Sequence, residues 1–135
     1  MAKVSGIPTS VTIDDAGGSP QVITNDVQSI SISTPNGMQE VTGMDKTAVE
    51  RLALLHDASG SMKGVFNTAA SMSHAVFKTV STGTQVTRTL AIGYPGATLT
   101  LEVLCTDYQV ERGDDGKLTW TVPFVLANGT AAAWT

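Results

Sequence analysis

The sequence predicts a mainly β fold: an antiparallel β-sandwich or partly closed barrel with two long hairpins and one flanking α-helix. Three observations carry that expectation. Apolar residues recur at every second position in five segments, the period of a strand with one buried and one wet face. Gly, Pro, Asn and Asp punctuate the chain between those segments. Ser, Thr, Val and Gly are abundant while strong helix formers are few. With 135 residues the chain reads as a single domain, 1–135, long enough to bury a core.

The stretch from Thr98 to Asn128 is the anchor of this reading. Leu118, Trp120, Val122, Phe124 and Leu126 alternate with Thr119, Thr121 and Pro123. Before them, Leu99, Leu101, Val103 and Cys105 share one parity, and Thr98, Thr100, Glu102 and Thr106 hold the other. At Tyr108 and Val110 the parity slips, which predicts a bulge near Thr106 or Asp107. Asp114-Asp115-Gly116 supplies turn residues that tolerate positive φ, so a long antiparallel hairpin is expected.

The remaining elements follow in chain order. Val11–Ile13 and Gln21–Ile23 are short strands around the turn cluster at Asp14–Pro20. Val27–Ser33 alternates Ile30 and Ile32 with Ser29, Ser31 and Ser33, and Pro35-Asn36-Gly37 predicts a turn that returns the chain along Met38–Gly43 as a second hairpin. Thr47-Ala48-Val49-Glu50 matches a capping box, and Ala48, Leu52 and Leu55 follow at helical spacing, so a helix is expected from Thr47 to about His56. Met62–Asn67 reads as a strand. Met72, Val76 and Val80 lie four apart and suggest a short helix within Ser71–Val80. Gln85–Tyr94 is a further strand, turned by Tyr94-Pro95-Gly96 into the anchor hairpin.

Composition narrows the function classes. A net charge of -4 argues against a free-standing nucleic-acid binder, which normally carries a basic face. The single cysteine, Cys105, cannot form an internal disulfide and reads as a buried thiol. No run reaches membrane-spanning length, and the first residues lack the apolar core of a signal peptide, so a protein kept in the cytoplasm or released by another route is expected.

Asp57-Ala58-Ser59-Gly60-Ser61 fits the D-x-S-x-S pattern of cation-dependent adhesion modules, where oxygen ligands hold a hard cation. Its place after the expected helix favours an ordinary exit loop instead. His56 and His74 are isolated from each other and spell out no zinc site. No nucleophile elbow or phosphate loop is present, and no enzyme or cofactor is expected. The Asn128-Gly129-Thr130 sequon reads as chance without a secretory signal.

Several stretches taken together resemble the major tail tube proteins of long-tailed bacteriophages, particularly the small ones of actinobacterial phages. They are Ile23-Thr24-Asn25-Asp26-Val27, Val41-Thr42-Gly43-Met44-Asp45 before Glu50-Arg51-Leu52, Gly64-Val65-Phe66-Asn67, Ser73-His74-Ala75, Thr106–Arg112, Asp115–Trp120, and Asn128-Gly129-Thr130 with Trp134. Their order and spacing, not any single motif, make the resemblance.

The resemblance implies six-subunit rings stacked into a hollow tube in the virion tail, assembled in the host cytoplasm, with hairpins joined side by side into a continuous inner barrel. It implies a tape-measure protein, a tail terminator and baseplate or distal tail proteins as partners, and DNA passing through the lumen without specific binding. The residues expected on the assembly hairpins are Val27, Ile30, Ser31, Ile32, Met38, Val41, Leu99, Leu101, Leu118 and Trp120. Glu40 and Glu102, each on a polar hairpin face, are the expected lumen-facing acids. A cation-dependent adhesion module using Asp57, Ser59 and Ser61, or a small β-sandwich decoration or binding domain, are the alternatives.

Overall fold

A computed structural model describes residues 3–135. Its elements are β1 (Ser10–Asp14), β2 (Pro20–Val22), β3 (Val27–Ser33), β4 (Asn36–Glu40), β5 (Arg51–His56), β6 (Ser59–Val65), α1 (Ser73–Phe77), β7 (Arg88–Tyr94), β8 (Ala97–Cys105), β9 (Gln109–Arg112), β10 (Leu118–Leu126) and β11 (Ala133–Trp134). Nine strands form one antiparallel sheet whose main path runs β2-β1-β7-β8-β10-β6-β3, with β9 on β10 and β11 on β8. The sheet rolls around a single core, as a partly closed barrel does. A groove of about 500 Å³ separates β1 from β3, and Val11, Val27, Ile30 and Tyr94 are among its lining residues.

The alternation of the anchor hairpin becomes the inner face. Leu99, Leu101, Val103 and Cys105 of β8 and Trp120, Val122 and Phe124 of β10 are all buried. The parity slip is the bulge expected near Thr106 or Asp107: between the pairs Trp120↔Val110 and Phe124↔Cys105 the chain takes four steps on β10 and five on the opposite side. β10 pairs with β9 through Leu118–Thr121 and with β8 through Phe124–Leu126. Pro123 sits at the junction, and its carbonyl accepts a hydrogen bond from Thr106 N at 3.0 Å. A proline has no N–H to give on that side, so the partner strand breaks where the donor is missing. The turn at Gly116 has φ 85°, and Asp115 Oδ1 accepts from Lys117 N at 3.0 Å.

Helix α1 closes the barrel with Val76 and Phe77, and Phe77 packs on Trp120 with ring centroids 5.2 Å apart. Buried polar groups hold it in place. Asp26 accepts from Ser73 N at 3.0 Å and from Asn67 Nδ2 at 2.9 Å. At the other end buried Arg88 donates to Val76 O at 2.8 Å and to Asp14 O at 3.0 Å, placing a cation where helix carbonyls are left open. Trp120 Nε1 donates to Val65 O at 2.7 Å, so the largest core side chain leaves no polar atom unpaired.

Two expectations are corrected. The helix expected at Thr47–His56 is absent; Arg51–His56 is strand β5, paired with β4 in the register Gln39↔Leu52 and Glu40↔Arg51. The capping box is unused as such, because Glu50 N bonds the Thr42 hydroxyl at 2.9 Å. A helix of about ten residues is marginal alone, and the antiparallel ladder with β4 outcompetes it.

The second hairpin is also different. β3 does not pair with β4: β3 pairs with β6 from Val27↔Gly64 to Ser33↔Ser59, and β4 pairs with β5. Residues 27–65 thus form one long ribbon with its tip at 41–50, and Pro35 marks a corner, not a reversal. Asp57 N bonds Pro35 O at 3.0 Å across that corner. β6 begins at Ser59, three residues before the expected start. Its Gly60 and Gly64 are required by close approach: a Cβ at Gly60 would strike Ser31 O, and one at Gly64 would strike Asp26 O and lie 2.7 Å from Trp120 Cζ2.

Candidate assembly surfaces

Three surfaces stand out, and each follows from strand parity or strand pairing. The first is the outer face of β3, β6 and β10. Where inward positions carry Met62, Trp120, Val122 and Phe124, the outward ones carry Ser29, Ser31 and Ser33, Ser59, Ser61 and Lys63, and Thr119 and Thr121. Cross-strand register lines them up: Ser31 with Ser61 and Pro123, and Ser29 with Lys63, Thr121 and, on β9, Gln109. The face continues onto β8, where Glu102 accepts a 2.6 Å hydrogen bond from the Thr89 hydroxyl.

The second surface is a pair of edges. Among the described residues β3 pairs only with β6, and β9 only with β10. The ribbon β3-β6-β10-β9 therefore ends on two strands that each present an open row of backbone donors and acceptors.

The third surface is the arm made by β4, β5 and the tip between them. It forms a separate two-stranded sheet. Met38, Leu52 and Leu55 are 62%, 54% and 88% exposed, and Leu54, Val41, Met44 and Val49 are also exposed. Register puts Met38, Ala53 and Leu55 on one face and Leu52 and Leu54 on the other, so both sides of the arm expose apolar side chains.

The expected site residues distribute unevenly over these surfaces. Ser31 lies on the wet face of edge strand β3, with Val27, Ile30 and Ile32 turned to the core. Met38 and Val41 lie on the arm. Leu99, Leu101 and Trp120 are core, while Leu118 is exposed at the start of β10. The two expected lumen acids are not brought together. Glu102 is on the outer face of the barrel, whereas Glu40 is on the arm, opposite Arg51 and bonded by the Thr42 hydroxyl at 3.3 Å.

The Asp57-x-Ser59-x-Ser61 stretch straddles the corner of the ribbon. Asp57 Oδ1 accepts from Ala58 N at 2.8 Å, and Ser59 and Ser61 point outward along β6. His56 bonds Asn36 on the arm, and His74 meets the Tyr108 hydroxyl at 3.1 Å. Burial raises the Tyr108 pKa, and it pushes the Cys105 thiol up to about 11.

Sequence reasoning missed the arm leucines, the free edge at β9, and Lys63. The run Leu52-Ala53-Leu54-Leu55 carries no period, so it identified neither face of a strand. The edges depend on pairing, which no local pattern encodes.

No protein-family model matches the sequence, and no curated protein matches it. Solved structures do. A chain of the tail of an empty gene transfer agent particle, refined with C6 symmetry, aligns with 98% of this chain and 99% of its own length at 18% identity and a TM-score of 0.75. A chain of the native gene transfer agent virion aligns over the same shares at 16% identity and a TM-score of 0.79. A chain of the sixfold-symmetrised anti-feeding prophage baseplate aligns with 100% of this chain and 96% of its own at 16% identity and a TM-score of 0.69. The protein has, over essentially its whole length, the fold of chains found in sixfold-symmetric phage-like tails and baseplates.

Proposed function

We propose that this protein is the structural subunit of a phage tail tube, forming hexameric rings that stack into a hollow tube through which DNA passes. The observation that carries the proposal is the arm. A two-stranded ribbon is marginally stable in water, and this one exposes leucines on both faces. Such a surface calls for cover on two sides, which copies of the same chain supply in a stacked array.

The barrel supports the same reading. Edges at β3 and β9 are different surfaces, so a contact between them is head-to-tail and closes into a ring when the rotation permits. Ring closure removes both open edges. The hydroxyl-rich face of β3, β6 and β10 then lines the lumen. The sixfold symmetry of the matched tail and baseplate agrees with this arrangement. A tape-measure protein inside the tube, and terminator and baseplate proteins at its ends, are the partners this role requires. Nothing in the role calls for catalysis.

Negative-stain microscopy of the purified protein at rising concentration tests the proposal. Rings or tubes with sixfold end views are expected. A protein that stays monomeric at every concentration, with its arm intact, would sink it.

A further inference from the structure

The outer face of β3, β6 and β10 is unusual for a wet surface. Through all three strands, VQSISIS, SGSMKGV and LTWTVPFVL, there is one charged residue, Lys63. Solvated surfaces are commonly about 25–35% charged with both signs interspersed, so a face of this size would ordinarily hold about three charges. Lys63 is exposed between buried Met62 and buried Gly64, which fixes its side chain on the wet side. It also lacks an acidic partner: the one ion pair among the described residues is Lys46 with Asp45, at the arm tip.

The neighbours of Lys63 complete a pattern. Across the sheet its row reads Ser29, Lys63, Thr121, Gln109. These are a hydroxyl, an ammonium, a hydroxyl and a carboxamide, each able to donate a hydrogen bond. At the usual spacing of ~4.8 Å between strands the row spans about 14 Å. Glu111, an acid on the same face, stands opposite Thr119, in the next row along and two strands away. The row is therefore a line of donors around one unneutralised cation, which suits phosphodiester oxygens.

We infer that Ser29, Lys63, Thr121 and Gln109 form a phosphate-contacting belt, repeated around the lumen, that touches the backbone of passing DNA at one level in each ring. The inference rests on the tube reading above, which sets this face toward the lumen. It adds a specific contact to a face whose β3, β6 and β10 positions are otherwise uncharged. One belt of single lysines per ring gives a weak, sequence-independent, salt-sensitive contact, so the polymer is centred without being held.

The test uses assembled tubes, checked by negative stain, and a short fluorescent DNA duplex whose binding is read by anisotropy. Wild-type tubes bind the duplex at low salt and lose it as salt rises from about 50 to about 200 mM. Lys63→Gln weakens binding about tenfold and flattens the salt dependence, because each lost phosphate contact removes counterion release. Lys63→Glu abolishes binding, and the charge-matched control Lys78→Gln, exposed at the end of α1, leaves it unchanged. Tubes of Lys63→Gln that bind as wild type, or wild-type tubes that bind no duplex at low salt, overturn the belt and leave the tube reading standing. Failure of the wild-type protein to form rings or tubes removes the tube reading and the belt together.

Discussion

The barrel and the arm are built from the same long ribbon, residues 27–65, yet they stand on different physics. On the barrel side of the corner at Pro35 and Asp57, Ile30, Ile32 and Met62 face a core closed by Trp120, Phe124 and α1. On the arm side the strands pair only with each other, and Met38, Leu52 and Leu55 face solvent. One half of the ribbon is stabilised within the chain. The other half pairs along one edge of each strand and leaves its apolar surface uncovered. Under the proposed tube reading, folding and assembly draw on two ends of one element and should be separable by mutation.

The largest expected effect lies in the barrel. Trp120→Ala removes a fully buried indole that packs on Phe77 and bonds Val65 O, at a cost of about 3–5 kcal/mol. That is comparable with much of the stability of a domain this size. Insoluble or unfolded protein is expected; a soluble variant that melts with wild type in circular dichroism would refute the assignment of this face as core.

Asp26→Ala comes next. It leaves Ser73 N and the Asn67 amide without their buried acceptor, at about 1–3 kcal/mol. A lowered urea midpoint is expected. Because Phe77 shields Trp120, a red-shifted tryptophan emission should accompany it before global unfolding.

The arm inverts the pattern. Leu52→Ser with Leu55→Ser should change monomer stability by no more than about 0.5 kcal/mol, since neither side chain is buried in the chain. The same variant should no longer form rings or tubes in negative stain. A large loss of melting temperature would show that the arm supports the fold; normal tubes would show that its leucines are not contacts.

The barrel alone also carries a pH dependence. Cys105 is buried with its pKa raised to about 11, from 9.0 when exposed. Above pH 9 the unfolded thiol loses its proton while the folded one keeps it, so the folded state binds more protons and stability falls as pH rises toward 11. Cys105→Ser should lessen that fall in denaturant titrations. Equal slopes in variant and wild type would mean that other groups govern the alkaline limb.

How far the sequence could be read depends on the range of the interaction that decides each element. The anchor hairpin was legible because its turn at Asp114–Gly116 and its alternating Leu118–Leu126 are local patterns, and the fold kept both. The slip at Thr106 was visible as a parity change, and Pro123 on the opposite strand explains it. The serine face of β3 was also legible, since Ile30 and Ile32 fix its opposite side. By contrast the capping box at Thr47–Glu50 was a sound local signal that lost to a ladder with β4. Lys63 drew no notice, because a single lysine signifies nothing until the neighbours across the sheet are known.

By itself, then, the sequence determined the β class, the positions of most strands, the core parity of β8 and β10, and the wet parity of β3. Those follow from period-two patterning and turn residues, which act over a few positions and survive in almost any packing. Only the tertiary structure decided that Val27 pairs with Gly64 instead of a strand ten residues away, that Leu52–Leu55 is a strand, and which strands stay at the edges. The reason is that pairing is a contest among all segments at once. Gly60 and Gly64 let β3 approach β6 closely, and once that ladder forms, β4 is left with β5 as its only partner and the arm must extend into solvent.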